Sequence, residues 1–229
     1  MTDTQFSRRA FGGSVLALAA ITASRAGAAE LDPTPFQTIG PFYPVQRLAE
    51  EDADLTWIKG HKKRAEGHVI QVTGRVLDRF GHPVSGARLE IWQCNSLGRY
   101  AHPNDSAANP LDPDFQGFAS IRTGARGEWR ITTIKPAAYD SPIGRRTPHI
   151  HFDVRGRHQR LITQMYFQGD PLIPLCPIAA TIRDRSQLDR LVAPLDMAHS
   201  RPLDYLAYKF DIVLRGRSQS MFENKPEGM

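Results

Sequence analysis

Two histidines separated by one residue are the first feature of this sequence that could do chemistry. His149 and His151 lie in an alternating apolar stretch that predicts a β-strand. Because successive side chains of a strand point to opposite faces, both imidazoles point to the same face and could bind one metal ion. The pair does not decide the matter alone, since a half-buried strand with two ordinary histidines has the same pattern.

The remaining ligands of such a metal are open at this point. Asp153 would complete a set of two histidines and one carboxylate, which is typical of Fe(II) enzymes. Three ligands at every second position of one strand, however, span about 13 Å, which a single ion does not bridge easily. Asp153 is therefore better interpreted as solvent-facing or salt-bridged. Tyr100 and Tyr139 are the other candidates, because both follow predicted strands at junctions where side chains can converge.

The elements that must position these residues are predicted to be mostly strands. Alternating patterns predict strands at residues 70–76, 87–94, 127–134, 149–154, 161–167 and 206–214. A helix is predicted to start at Ser186, which forms a capping pair with Asp189 three residues on, and to end near Pro194; a second short helix is predicted near residues 47–57. The fold class is therefore all-β: an antiparallel β-sandwich with long active-site loops, an N-terminal arm and one or two short helices.

Composition sets the limits of the function. The chain has 229 residues, which is the length of one domain or at most two small domains, and its 41% hydrophobic and 23% charged residues exclude disorder. Two cysteines exclude a disulfide scaffold, although Cys94 and Cys176 could pair in an oxidising compartment. The sequence contains neither a CxxC nor an HExxH motif, so the common zinc signatures are absent.

Residues 1–29 resemble an export signal of the twin-arginine type. Arg8 and Arg9 precede an apolar run of about thirteen residues, too short for a membrane span, and Ala26-Gly27-Ala28 has the spacing of a cleavage site. We therefore expect an exported, periplasmic protein with no membrane attachment after processing. Processing would lower the net charge from +5 to +3, which is too small and scattered to indicate nucleic acid binding.

Several motifs, in order and at matching spacing, resemble the intradiol ring-cleaving dioxygenases. The resemblance is closest to the iron-binding β subunit of protocatechuate 3,4-dioxygenase and covers about residues 68–224. The motifs are LEIWQCNSLGRY at 89–100, IKPAAY at 134–139, RTPHIH at 146–151, LITQMYF at 161–167 and LAYKFDIVLRG at 206–216. The predicted organisation is then a signal peptide (1–29), an N-terminal arm (30–67) and a catalytic β-sandwich domain (68–229).

The resemblance implies one mononuclear Fe(III) per chain. Carried over from the family position by position, its ligands would be Tyr100, Tyr139, His149 and His151. Their types suit this metal, since phenolates favour ferric iron and neutral imidazoles complete the set. The implied reaction is cleavage of a small aromatic diol by O2 between its two hydroxyl-bearing carbons. Protocatechuate, which would become 3-carboxy-cis,cis-muconate, is the first substrate to consider. Tyr139 corresponds to the ligand that substrate displaces, and it would take a substrate proton as it leaves.

The resemblance also implies residues around the substrate. Arg146 would stabilise negative charge on the ring, and Gln164 would be a polar, buried pocket residue that needs a partner. Ile178 and Phe42 would line the substrate pocket. With a catalytic role for Tyr139, Arg146 and Gln164, these positions complete the predicted site.

Two departures from the family pattern leave partners and substrate open. The arm at residues 34–42 is more similar to the start of the family's non-metal α subunit, which favours a homo-oligomer, with an α-type partner as the other possibility. The segment around Asp140 and Ser141 is shorter than in the β subunit, so catechol or hydroxyquinol are alternative substrates. An Fe(II) or zinc enzyme and a non-catalytic exported binding module are the alternatives from other functional classes.

Overall fold

The computed structural model describes Met1 and residues 29–46 and 50–215, so most of the predicted signal peptide lies outside the described residues. The strands are β1 (Val69–Asp78), β2 (Arg88–Trp92), β3 (Phe118–Arg122), β4 (Glu128–Ile134), β5 (Tyr139–Ser141), β6 (Gly144–Arg146), β7 (His149–Arg155), β8 (Arg160–Phe167), β9 (Val192–Ala193), β10 (Leu206–Lys209) and β11 (Ile212–Leu214). One α-helix, α1 (Arg185–Asp189), and two 3-10 turns, Ile173–Leu175 and Ala179–Thr181, accompany them. Within these residues no helix has the length and hydropathy needed to cross a membrane.

Two sheets and one hairpin contain all these strands, and the all-β prediction is confirmed. The first sheet has β1 at its centre, with β4 on one side and β10 and β11 on the other. The second has the order β3-β2-β7-β8-β9, and β5 pairs with β6 in a separate hairpin. Most pairings are antiparallel, but the sheets are mixed, because β10 and β11 run parallel to β1 and β9 runs parallel to β8.

The hydrophobic core lies between the two sheets, and alternation along β2 and β7 determines which residues enter it. Ile91 of β2 and Phe152 of β7 are fully buried in this core, as are the β1 residues Val72 and Val76 that oppose them. The residues between them, such as His151, point to the outer face of the second sheet. Those outer residues are also buried, so something must cover that face.

The N-terminal arm covers the outer face of the second sheet. Its backbone joins strand β8 through a hydrogen bond from Gln37 N to Ile162 O of 3.0 Å. The hydroxyl of Thr163 donates to Pro35 O at 2.8 Å. Ile39 packs into an apolar cluster that also contains Trp92, Tyr100 and Tyr139, with Phe36, Phe42 and Tyr43 of the arm at its border. The arm therefore forms one wall of whatever this face holds.

The last predicted strand, residues 206–214, is divided into β10 and β11. The division falls at Phe210, whose backbone N donates to Thr73 O at 2.8 Å. A Cβ on Gly74 would lie 1.8 Å from the carbonyl oxygen of Phe210, so the glycine allows this close approach. The alternation in the sequence is real, since Tyr208, Phe210 and Ile212 are all buried, but it does not reveal the break at Phe210 between two segments that both pair with β1.

The helix predictions need correction. The helix predicted from Ser186 to near Pro194 is only α1, and its N-cap is Asp184, whose carboxylate accepts from Ser186 N at 2.9 Å. It ends at Asp189 because the chain then buries Leu191 and enters β9 beside β8. The helix predicted near residues 47–57 is wrong for its described part, 50–57, which is non-helical and forms a single bridge, Asp54 with Thr132.

Candidate metal centre

The outer face of the second sheet brings most of the predicted site residues together. His149 and His151 both lie on this face of β7, as alternation predicts. Across the pairing with β8, His149 is opposite Tyr166 and His151 is opposite Gln164. On the other side, Trp92 of β2 is opposite His151. The two imidazoles therefore stand in the middle of a three-strand surface rather than at a sheet edge.

A short hairpin that sequence patterns did not predict holds two more site residues. Strands β5 and β6 pair Tyr139 directly with Arg146, so the ring and the guanidinium are neighbours. Strand β7 begins three residues after Arg146, which places the hairpin against the histidines. The tight pairing explains how Tyr139 lies in the same site as Arg146 and as His149, which is ten positions further along the chain.

Four aromatic rings converge where the resemblance places the metal ligands. The centroids of His149 and His151 are 4.9 Å apart, and those of Tyr100 and Tyr139 are 5.5 Å apart with perpendicular planes. Tyr139 lies 5.7 Å from His149, and Tyr100 lies 6.3 Å from His151. The hydroxyl of Tyr100 is 3.3 Å from Nε2 of His149. None of the four residues is more than 8% exposed.

Neighbouring groups fix the orientation of both imidazoles. Nδ1 of His149 lies 2.6 Å from the carbonyl oxygen of Thr147 and must donate to it, which leaves Nε2 as the unprotonated nitrogen facing the cluster. The indole of Trp92 stacks on His151 at 4.8 Å and 9°. Sequence analysis did not single out Trp92 or Thr147. Trp92 could have been found, because a large side chain that alternates with Ile91 must lie on the outer face.

Burial determines the protonation state of the cluster. Burial, together with the positive charge of Arg146, lowers the pKa of His149 to about 3. Burial and the charges of His149 and Arg146 lower the pKa of His151 well below its usual value. Burial raises the pKa of Tyr139 to about 12, and burial and the proximity of Tyr139 raise that of Tyr100 well above 10.0. The imidazoles are therefore neutral at pH 7, and the phenols lose their protons only if a cation replaces them.

The donor set fits a hard, highly charged metal ion. Two phenol oxygens and two neutral imidazoles lie within one buried cluster, and phenolates are hard anionic ligands. Nδ1 of His151 is buried without a hydrogen-bond partner in the structure. Within the described residues, no three His, Cys, Asp or Glu side chains are arranged to hold a metal. A metal at the two histidines therefore needs the tyrosine oxygens, and the carboxylate-based alternative lacks its carboxylate.

Asp153 is salt-bridged, which was one of the two interpretations left open by the sequence. It is fully buried and accepts hydrogen bonds from Arg155 and Arg160, each with a closest distance of 2.8 Å. Burial works to raise the pKa of Asp153, but the two guanidinium groups outweigh it and hold the pKa below its ordinary value. The carboxylate is thus fully engaged away from the histidine rings.

This ion pair predicts a pH-dependent stability. Asp153→Asn should lower the free energy of unfolding at neutral pH by about 3 kcal/mol, because a buried ion pair loses its anion. The depressed pKa means that the carboxylate stabilises the fold above its ordinary value of 3.8 and loses that effect as the pH falls through the folded-state pKa. Urea unfolding of both proteins should therefore show a difference that shrinks below about pH 4. Asp140→Asn is the matched control, because Asp140 is 80% exposed in its pair with Arg145, and it should change the free energy of unfolding little. Equal destabilisation by the two substitutions would contradict the assignment of a stabilising buried ion pair to Asp153.

Arg146 and Gln164 form one buried unit beside the cluster. Arg146 is 4% exposed, and its Nη2 donates to Oε1 of Gln164 at 2.6 Å and lies 3.4 Å from Nε2 of His149. Gln164 is fully buried and donates in turn to the carbonyl oxygen of Thr38 in the arm at 2.9 Å. As expected, Gln164 is buried and has a hydrogen-bond partner. That partner is Arg146, which the resemblance also places beside the substrate.

The two predicted pocket residues lie on different sides of the cluster. Phe42 stacks on Tyr100 with centroids 4.6 Å apart and meets Tyr139 edge-on at 6.3 Å. Ile178 is half-buried and packs at the border of a cluster that contains Tyr166 and Cys176. Phe42 therefore touches the predicted ligands themselves, whereas Ile178 lies on the side of Arg146, whose Nε contacts Cys176.

Fold and site together define the class of protein. A β-sandwich carrying two tyrosines and two histidines in one buried cluster is the arrangement expected for intradiol ring-cleaving dioxygenases. A family model described as "Dioxygenase" matches residues 38–216. This chain belongs to the intradiol ring-cleaving dioxygenase family and is a dioxygenase.

The relatives and solved structures specify the similarity further. The chain is 43% identical over 190 residues to the protocatechuate 3,4-dioxygenase β chain of Burkholderia cepacia, covering 80% of each chain. It is 29% identical over 202 residues to the α chain from Pseudomonas putida, covering 84% of this chain and 96% of that one. Among solved structures, it resembles the dioxygenase domain of a dioxygenase carbohydrate-binding protein fusion from Streptomyces sp. SirexAA-E. That match has a TM-score of 0.60 and 26% identity, and it covers 80% of this chain and 99% of the other.

Proposed function

We propose that this chain cleaves a catechol ring between its two hydroxyl-bearing carbons, using O2 and one non-haem Fe(III), with protocatechuate as the preferred substrate. The observation that carries the proposal is the convergence of Tyr100, Tyr139, His149 and His151 in one buried cluster beside Arg146. The similarity to a protocatechuate 3,4-dioxygenase β chain supports the choice of substrate. Ferric iron held by these four side chains would supply Lewis acidity towards a catecholate.

Tyr139 is the residue suited to move a proton. It is the more exposed of the two tyrosines, at 8% against 3%, and its pKa of about 12 makes the phenolate a strong base. A phenolate at this position would accept a proton from an incoming diol hydroxyl and leave the metal position as a neutral phenol. The hairpin that carries Tyr139 lies at the surface, with Ile143 exposed at its tip.

Arg146 is the residue suited to stabilise charge. Its guanidinium is buried next to Nε2 of His149 and forms an ion pair with no carboxylate among the described residues. A cation in a site that excludes water acts strongly on negative charge that develops on the ring. Gln164 accepts a hydrogen bond from one of its nitrogens and donates to the carbonyl oxygen of Thr38 in the arm, so the arm supports the position of the guanidinium.

Product analysis tests the proposed function. The purified, iron-loaded chain should consume about one O2 for each protocatechuate and yield a ring-opened muconate carrying both oxygen atoms, which ¹⁸O2 labelling and mass spectrometry would show. Catechol and hydroxyquinol, tested in parallel, measure the alternative substrates suggested by matches to a catechol 1,2-dioxygenase of Acinetobacter baylyi and to hydroxyquinol dioxygenases. If none of the three diols caused O2 consumption, the proposal would be overturned.

We further propose a homo-oligomer exported to the periplasm. Relatives include both α and β chains of protocatechuate 3,4-dioxygenase, which supports an oligomeric assembly. The similarity of the arm at residues 34–42 to the start of the α subunit means that the chain would supply this segment itself, which favours assembly without an α partner. Sedimentation of the chain expressed alone would decide between one and several copies. Mass spectrometry of the periplasmic protein would show whether residues 1–29 are removed; a full-length cytoplasmic chain would contradict export.

A further inference from the structure

Cys176 is a buried thiol for which the reaction described above has no use. It is fully buried and follows the 3-10 turn Ile173–Leu175, on the segment that leads to Ile178. Both cysteines are free in the structure, so Cys176 is not tied up in a disulfide with Cys94. Its sulfur lies 3.3 Å from Nε of Arg146, which donates a hydrogen bond to it.

The surroundings of the sulfur are those of an acceptor. The backbone N–H groups of Ala179 and Thr147, together with the guanidinium of Arg146, hold the pKa of the thiol below its ordinary value although burial acts to raise it. A cysteine that only filled space would not need a guanidinium N–H directed at its sulfur. The sulfur of Cys176 is therefore a hydrogen-bond acceptor that holds the guanidinium of Arg146 in place.

The anchored group is the guanidinium at the centre of the proposed reaction. Arg146 is held at two different nitrogens: Nη2 by Gln164 at 2.6 Å and Nε by Cys176 at 3.3 Å. Two contacts fix both the position and the tilt of a planar group, which one contact cannot do. A carboxylate in place of the sulfur would neutralise the arginine, whereas sulfur is a weak acceptor that orients it and leaves more of its charge for the substrate.

We propose that Cys176 is a positioning residue for Arg146, orienting the guanidinium towards the ring through the Nε contact. This inference rests on the proposed function, because the orientation matters only if Arg146 stabilises charge during turnover. Cys176 itself touches neither substrate nor metal ligands in this account. Its removal should therefore lower kcat through Arg146 and leave substrate binding almost intact.

A double-mutant cycle tests the inference. Cys176→Ala should lower kcat about tenfold with KM changed less than about twofold, and in the Arg146→Lys background it should cost less than about twofold. Cys176→Ser keeps an acceptor and should recover most of the loss. Ile173→Ala removes volume from the same apolar cluster without contacting Arg146, so it controls for packing and should leave kcat within about twofold.

The outcomes separate this inference from the proposed function. Equal effects of Cys176→Ala in both backgrounds, or equal effects of Cys176→Ala and Ile173→Ala on kcat, would overturn the positioning role. If the wild-type chain cleaves none of the diols, the proposed function fails. The wild type, Cys176→Ala, Arg146→Lys and the double variant are then compared by urea unfolding. There the contact predicts non-additive unfolding free energies for positions 146 and 176, and additive values would overturn it.

Discussion

Replacing Tyr100 with phenylalanine should remove most of the bound iron and lower turnover by at least about 100-fold. The phenol oxygen is one of four proposed ligands, and even partners that only orient metal ligands are typically worth 10- to about 100-fold. The ring itself remains, so its stacking on Phe42 and its contact with Tyr139 are preserved. Iron content by mass spectrometry and kcat with protocatechuate measure the two effects.

Two controls distinguish loss of the metal from loss of the fold. Tyr208→Phe makes the same change at a buried tyrosine of the main core and should alter neither iron content nor turnover. In metal-free protein the Tyr100 hydroxyl lies 3.3 Å from Nε2 of His149 and also hydrogen-bonds with Tyr139, so metal-free Tyr100→Phe should unfold within about 2 kcal/mol of metal-free wild type. Full iron content in the variant would contradict the assignment of Tyr100 as a ligand.

Arg146→Gln should lower kcat by about 10²- to 10³-fold while the iron content stays unchanged. Removal of one donor that stabilises developing charge typically has this cost, and Arg146 is not a proposed ligand. Arg146→Lys keeps the charge but loses the planar fork that bonds Gln164 and Cys176 together, so it should recover only part of the activity. Steady-state kinetics on iron-quantified protein provide the measurement.

The adjacent arginine is a matched control for this variant. Arg145 lies on the same hairpin strand but points outward, half-exposed, to Asp140 at 3.0 Å. Arg145→Gln should therefore leave kcat within about twofold of the wild-type value, because exposed ion pairs contribute little. If Arg146→Gln and Arg145→Gln had equal effects, or if Arg146→Gln lost its iron in proportion to its activity, a charge-stabilising role would be wrong.

The parts of the site that could be predicted from the sequence are those governed by local rules. Strand alternation predicts that His149 and His151 share a face, and the span of a strand argues against Asp153 as a third ligand. Both expectations agree with the structure. The positions of Tyr100 and Tyr139 after predicted strands make them candidates only, and the family resemblance is needed to select them, because no local spacing brings residues 100 and 139 next to the histidines.

The contacts that could not be predicted are made between segments far apart in sequence. The bond from Gln164 to Thr38 joins residues 126 positions apart, and no pattern in either segment encodes the other. The β5–β6 hairpin has only three residues per strand, too short for an alternating pattern to appear. The helix after Asp184 was overextended because local capping signals cannot register that Leu191 is needed in the interior.

The visible absorption spectrum of the iron-containing protein, recorded before and after anaerobic addition of protocatechuate, tests the central claim most directly. We expect a broad tyrosinate-to-iron charge-transfer band, which shifts when the diol enters because Tyr139 gives way to it. The band should be weakened in Tyr100→Phe. A protein that stays colourless after reconstitution with ferric iron would contradict the assignment of Tyr100, Tyr139, His149 and His151 as the ligands of a ferric centre.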